Sequence, residues 1–156
     1  MSRKNGKKIA EDERRKKYLF KVTIVGPDDG ILDRVLAVVN DAAVSVDGIR
    51  IGTTAVETGE SDVRAVTWSP QHSALDMLLS VTYAGANAVV IVMPDVDPAI
   101  ESIYRNEIRQ NLGSGVPTRM IVVGSEIDDF KKVEIMNTFD DLFHEILDRK
   151  EKSKSK

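Results

Sequence analysis

Residues Lys21–Asn40 read KVTIVGPDDGILDRVLAVVN, and this stretch decides the fold class. The apolar run Val22–Val25 stops at Gly26-Pro27, Asp28, Asp29 and Gly30 follow, and Ile31, Leu32, Val35, Leu36, Val38 and Val39 then recur at helical spacing. A buried strand, a glycine-bearing turn and a helix start form the unit on which phosphate-binding loops are built. The free N–H groups and positive dipole end of such a helix attract anions. This loop lacks the lysine that a phosphate-binding loop uses.

Outward from that unit, the chain alternates. Tyr18–Val25 reads as a first strand, apolar enough for burial on both faces. A helix is predicted from about Gly30 to Ala42, one face packing on the sheet. Residues 44–58 change to a loose period of two, with Gly48 and Gly52 as breaks, and Val63–Trp68 alternates again after a polar turn. Strands joined by so short a turn are antiparallel. A helix is predicted over Ser73–Tyr83, a strand over Ala88–Met93, and a helix from Pro98 to about Asn111 with Asp97 as its cap. Thr118–Val123 reads as a strand, Lys132–Met136 as one more short strand, and Asp140–Lys150 as the last helix. The expectation is an α/β fold in three layers, with a mostly parallel sheet and one antiparallel strand pair. In such sheets the functional crevice lies beyond the carboxyl ends of the strands.

Composition narrows the chemistry. At 156 residues with 42% apolar content, one domain with a real core is the default. The absence of cysteine removes disulfides, thiolate metal sites, cysteine nucleophiles and prenyl or palmitoyl anchors. No apolar run is long enough to span a membrane, Ser2 stands where myristoylation needs glycine, and a cytoplasmic location is expected. Charge is uneven. Residues 1–17 hold eight Lys or Arg against three acids, and residues 148–156 hold five against two. The body between them is left with nine against twenty, a balance of −11. An acidic body with basic ends disfavours a nucleic-acid surface. Residues 1–17 and 151–156 read as charged disordered tails around a domain at 18–150.

The order of elements, with KVTIVG, IGTTAVET, VRAVTW, YAGANAVVIV and MIVVGSEIDD in turn, resembles the Ras-like small GTPases, in particular the Rab-type branch. The resemblance covers about residues 18–150 and implies a G-domain-like, P-loop NTPase fold. Mapped onto it, the nucleotide-site equivalents are Gly26, Asp28, Asp29, Gly30, Asp33, Thr53, Thr54, Ser125 and Asp128. The departures bear on function. In G-x-x-x-x-G-K-[S/T] counted from Gly26, the second glycine falls on Ile31, the lysine on Leu32 and the hydroxyl residue on Asp33. A like-charge pair at ~4 Å costs about 4 kcal/mol at an effective dielectric near 20, so Asp28 and Asp29 oppose a triphosphate. Trp68 is followed by Ser69-Pro70-Gln71, which removes the family's magnesium-linked Asp and switch glycine and leaves Gln71 as the one catalytic candidate. The base loop has Ser125 and Glu126 at its Asn and Lys positions, while Asp128 matches the guanine-reading Asp or serves as a helix cap. Thr53 and Thr54 stand near the switch threonine or simply pair in a strand.

Three functional readings follow. The first is a degenerate small-GTPase-like protein-interaction module, with no cofactor and with Trp68 and Gln71 on a switch-like partner surface. The second is an atypical GTPase holding GTP or GDP with magnesium. The third is a receiver-like or metal-binding signalling domain, in which Asp28, Asp29, Asp95 and Asp97 converge on a cation. His72 and His144 are isolated in sequence and specify no triad.

Overall fold

A computed structural model describes residues 16–56, 58 and 61–154. Six strands form one sheet, β1 (Lys16–Val25), β2 (Ala42–Val46), β3 (Ile49–Val56), β4 (Ser61–Pro70), β5 (Ala88–Met93) and β6 (Thr118–Val122). The helices are α1 (Asp29–Val39), α2 (Leu79–Tyr83), α3 (Pro98–Leu112) and α4 (Asp129–Lys154), with a 3-10 turn at His72–Ala74. The strand order is β2-β3-β4-β1-β5-β6.

The expected mostly parallel sheet is corrected here: the sheet is mixed. β1 pairs in parallel with β4 and β5, and β5 with β6, but β2, β3 and β4 are joined by two antiparallel pairings rather than one. The cause is Asp47-Gly48, where both residues have positive φ, 51° and 82°. That backbone makes a two-residue hairpin turn, which splits the stretch expected to be one strand into β2 and β3. This mixed topology gives no confirmation of a G-domain fold.

Helices cover both faces. On one, α1 and α4 pack against Phe20, Val22 and Ile24 of β1 and their neighbours on β4 and β5. On the other, Tyr83, Tyr104 and Ile108 pack against Val89, Ile91 and Met93 of β5. β5 and the last four residues of β1 are buried on both sides, which explains why they are almost entirely apolar. Where β1 ends, a Cβ added to Gly26 would collide with the backbone carbonyl of Val92, so only glycine lets the chain turn against β5.

Helix boundaries differ from expectation at three places. The helix after β1 stops at Val39, because Asn40 turns extended, accepts a hydrogen bond from Thr67 Oγ1 (3.0 Å) and fills the space that Gly52 leaves open. The helix expected over Ser73–Tyr83 breaks into the 3-10 turn and the short α2, since Leu78 is non-helical (φ −110°, ψ 13°). The strand expected at Lys132–Met136 is helix, and the last helix begins at Asp129 rather than Asp140. Ile135, Phe139, Leu142, Phe143 and Ile146 lie at helical spacing and are all buried, which outweighs the local alternation. α4 continues to Lys154, while Lys16 and Lys17 open β1; residues 1–15 of the expected N-terminal tail lie outside the described residues.

β6 is tied to α4 by Arg119, which bonds Glu145 and reaches Asp141 at 3.5 Å. The Arg119 hydrogen bond is the main cause that holds the Glu145 carboxyl below its usual range. A lowered folded pKa stabilises above the unfolded carboxylate range, and that stability is lost as pH falls through the folded pKa. Glu145→Gln is therefore expected to lower stability at neutral pH, with the difference from the parent vanishing in acid; urea melts at several pH values measure it. Gly26→Ala is expected to cost about 3 kcal/mol or more by the same assay, because the clash is with backbone and no side chain can yield.

Candidate functional site

The carboxyl ends of β1 and β4 meet the start of α1, where the sequence points to a phosphate loop. Only Gly26, Pro27 and Asp28 separate β1 from α1. The helix thus begins inside the segment that would have to wrap a phosphate. Asp28 caps it: its Oδ1 accepts the N–H of Ile31 at 3.1 Å and its carbonyl accepts that of Leu32. A carboxylate of the chain itself therefore occupies the anion-attracting end of the helix. Leu32, at the lysine position, is fully buried in the core.

Two of the acids at this corner are paired within the chain. Arg50 of β3, with its side chain 8% exposed, enters between the acids. Its guanidinium donates to Asp33 Oδ1 at 3.1 Å, to Asp29 Oδ1 at 3.2 Å, to Pro70 O at 2.8 Å and to Ser69 Oγ at 3.4 Å. A rigid fork of donors can hold two carboxylates and a carbonyl at once, which an ammonium cannot do with the same geometry. Asp29 Oδ1 also accepts the backbone N–H of His72 at 3.0 Å, which draws in the segment after β4. The His72 ring meets the Tyr104 hydroxyl at 3.3 Å. Burial, reinforced by Glu107 and Asp29, pushes the Tyr104 hydroxyl up to about 12. Tyr83 is raised further, first by burial and then by its 2.6 Å hydrogen bond to Glu107. Both phenols are neutral at physiological pH.

A second arginine bridges the other side of the crevice. Arg34 of α1 donates to Gly30 O at 3.3 Å and to Ser125 O at 3.2 Å, linking the helix start to the loop after β6. Asp128 accepts the N–H of Lys131 at 2.8 Å, the geometry of an N-cap for α4.

The remaining residues divide by place. Gly26, Asp28, Asp29, Gly30 and Asp33 gather at the α1 start, with Ser125 brought alongside by Arg34. Gln71 is exposed just beyond β4, its N–H bonded to Gly48 O. Thr53 and Thr54 sit in mid-strand opposite Val66 and Ala65. Ala65 pairs with Phe20, six residues before Gly26, so the threonines lie about 20 Å from the corner. Strand pairing is what they do. Asp97 caps α3 through Ile100, Asp95 is exposed, and no group of three or more His, Asp or Glu able to hold a metal gathers among the described residues. His144 is half-exposed on α4 beside Asp140.

Trp68 lies on the opposite sheet face, half-buried, with Lys21 Nζ 4.7 Å from its ring centre. That ammonium donates to the carbonyls of Val81 and Ala84, both at 2.7 Å, which fastens α2 beside the indole. Burial lowers the Lys21 pKa. Register places Val44, Ile51 and Trp68 side by side across β2, β3 and β4, so the three share one face. Val44 is 61% exposed and Val46 52%.

Arg50 and Arg34 were not identifiable as site residues in the sequence. The only trace of Arg50 is a lone cation between Ile49 and Ile51, and alternation alone suggests the isoleucines point inward. The structure inverts that phase: Arg50 is buried and both isoleucines are half-exposed. Compared with known proteins, the chain matches no family model and no curated protein.

Arg50→Met is expected to destabilise by about 2–3 kcal/mol, since it strands Pro70 O and leaves two acids unpaired. The figure sits below the usual range for a broken buried pair because Asp29 and Asp33 are 43% and 64% exposed and water can solvate them. Arg50→Lys should lose less, keeping the charge without the fork. A denaturant midpoint for Arg50→Met equal to the parent's would contradict this account.

Proposed function

We propose that this chain is a protein-binding module without nucleotide chemistry, which engages its partner through the sheet face at Trp68. The observation that carries the proposal is the apolar row Val44–Ile51–Trp68, in which Val44 is exposed and Ile51 and Trp68 are half-buried. Trp is enriched among interface anchors, and an exposed apolar patch bordered by polar groups marks interaction sites more often than chance. β2 extends the same surface: all five of its residues are exposed and none is charged. An uncharged outer strand without proline lacks the usual guards against strand pairing.

The crevice supports the other half of the proposal. A nucleotide phosphate at the α1 start would compete with the Asp28 cap and would have to detach Arg50 from Asp29 and Asp33. With Leu32 in the core, no lysine of α1 is available to replace Arg50. Kinship with the Ras-like small GTPases remains part of the proposal and rests on the sequence stretches in their order.

Two measurements test it. Ligand at 100 times its dissociation constant raises stability by about 2.7 kcal/mol, so melts with GTP or GDP plus magnesium are expected to show no shift. A clear shift, or GDP released on denaturing the purified protein, would overturn the proposal in favour of an atypical GTPase. Trp68 is the only tryptophan, so its emission reports on this face directly. Once a partner is isolated, its addition should shift that emission to the blue, and Val44→Glu should abolish both the shift and the binding while the melting temperature is unchanged. Undiminished binding by Val44→Glu would place the partner surface elsewhere.

A further inference from the structure

We infer that the groove between α1 and α4 binds a small apolar molecule carrying one negative charge, such as a medium-chain carboxylate. The groove has a volume of about 790 Å³, within the range of small-molecule sites. Ala37 and Val38 of α1, Ile127 of the preceding loop and Met136 of α4 give it an apolar lining. Its charged groups are Arg34, Lys132 and Glu126.

Charge selects the ligand class. Arg34 donates only to the carbonyls of Gly30 and Ser125 and meets no carboxylate among its described contacts. Lys132 has no ion pair among the described residues, although Lys131 next to it pairs with Glu134. Two cations therefore face the groove against the single carboxylate of Glu126. The excess of one positive charge repels a cationic ligand and favours an anionic head over an uncharged one. A carboxylate head at Lys132 with its chain over Met136 and Val38 satisfies both the charge and the lining. The floor is already open: Met136 is 46% exposed in a helix whose other face is closed by Ile135 and Phe139. Methionine adapts its shape to such ligands at little cost. The groove shares Arg34 with the crevice but includes neither Asp28 nor the Trp68 face.

The test uses the full chain and decanoate. Titration followed by the methionine methyl resonances and by calorimetry is expected to show saturable one-to-one binding, with the largest shift at Met136. Decyltrimethylammonium, of equal chain length and opposite charge, should not bind there. Lys132→Glu should weaken decanoate about fivefold, as for an exposed ion pair. Met136→Glu, at a half-exposed position that the fold tolerates, should remove binding without moving the melting temperature. Equal binding of decanoate and the ammonium compound would overturn the inference, as would undiminished affinity in both variants or no saturation at millimolar ligand.

Discussion

The Arg50 guanidinium is the interaction on which the carboxyl end of the sheet depends. It comes from β3, yet its partners belong to α1 and to the end of β4, so three elements meet on one buried cation. Asp29 passes the connection on to His72, and His72 to Tyr104 of α3. The result is a continuous polar tie from the α1 face of the sheet to the α3 face, through side chains distant in sequence. A buried charge without partners costs several kcal/mol, so Arg50 is tolerated there only because both acids and the Pro70 carbonyl converge on it.

That tie changes what the β1–α1 corner means. A helix N-terminus at a strand end is an anion site when its N–H groups are free and a cation stands nearby. Here the Asp28 carboxylate takes the Ile31 N–H, and Asp29 and Asp33 take the cation. The corner supplies its own anions and its own cation. On the other face of β2, β3 and β4, Val44 is exposed beside the half-buried Ile51 and Trp68.

Much of the fold was legible locally. Ala88–Met93 is apolar at every position, and Val22–Val25 at all but Thr23, because both faces of those strands are covered, and that needs no tertiary knowledge to suspect. Asp97-Pro98 announced a helix and delivered one, as cap and first-turn proline. Asp47-Gly48 is an equally legible hairpin signal, and its turn is what makes the sheet mixed. Lys132–Met136 failed for another reason: a short alternation suits either period, and the longer helical repeat through Ile146 decided it.

The sequence by itself determined the strand–turn–helix units, the missing lysine and the apolar content of each layer, since these depend on neighbours a few residues apart. Tertiary structure alone decided what the acids at the β1–α1 corner pair with. Whether Asp29 and Asp33 repel a phosphate or hold an arginine depends on a residue 17 to 21 positions away, on a strand whose inward phase local alternation does not fix. Electrostatics at the corner is set by distances across the sheet, and those exist only once β3 has taken its register against β4.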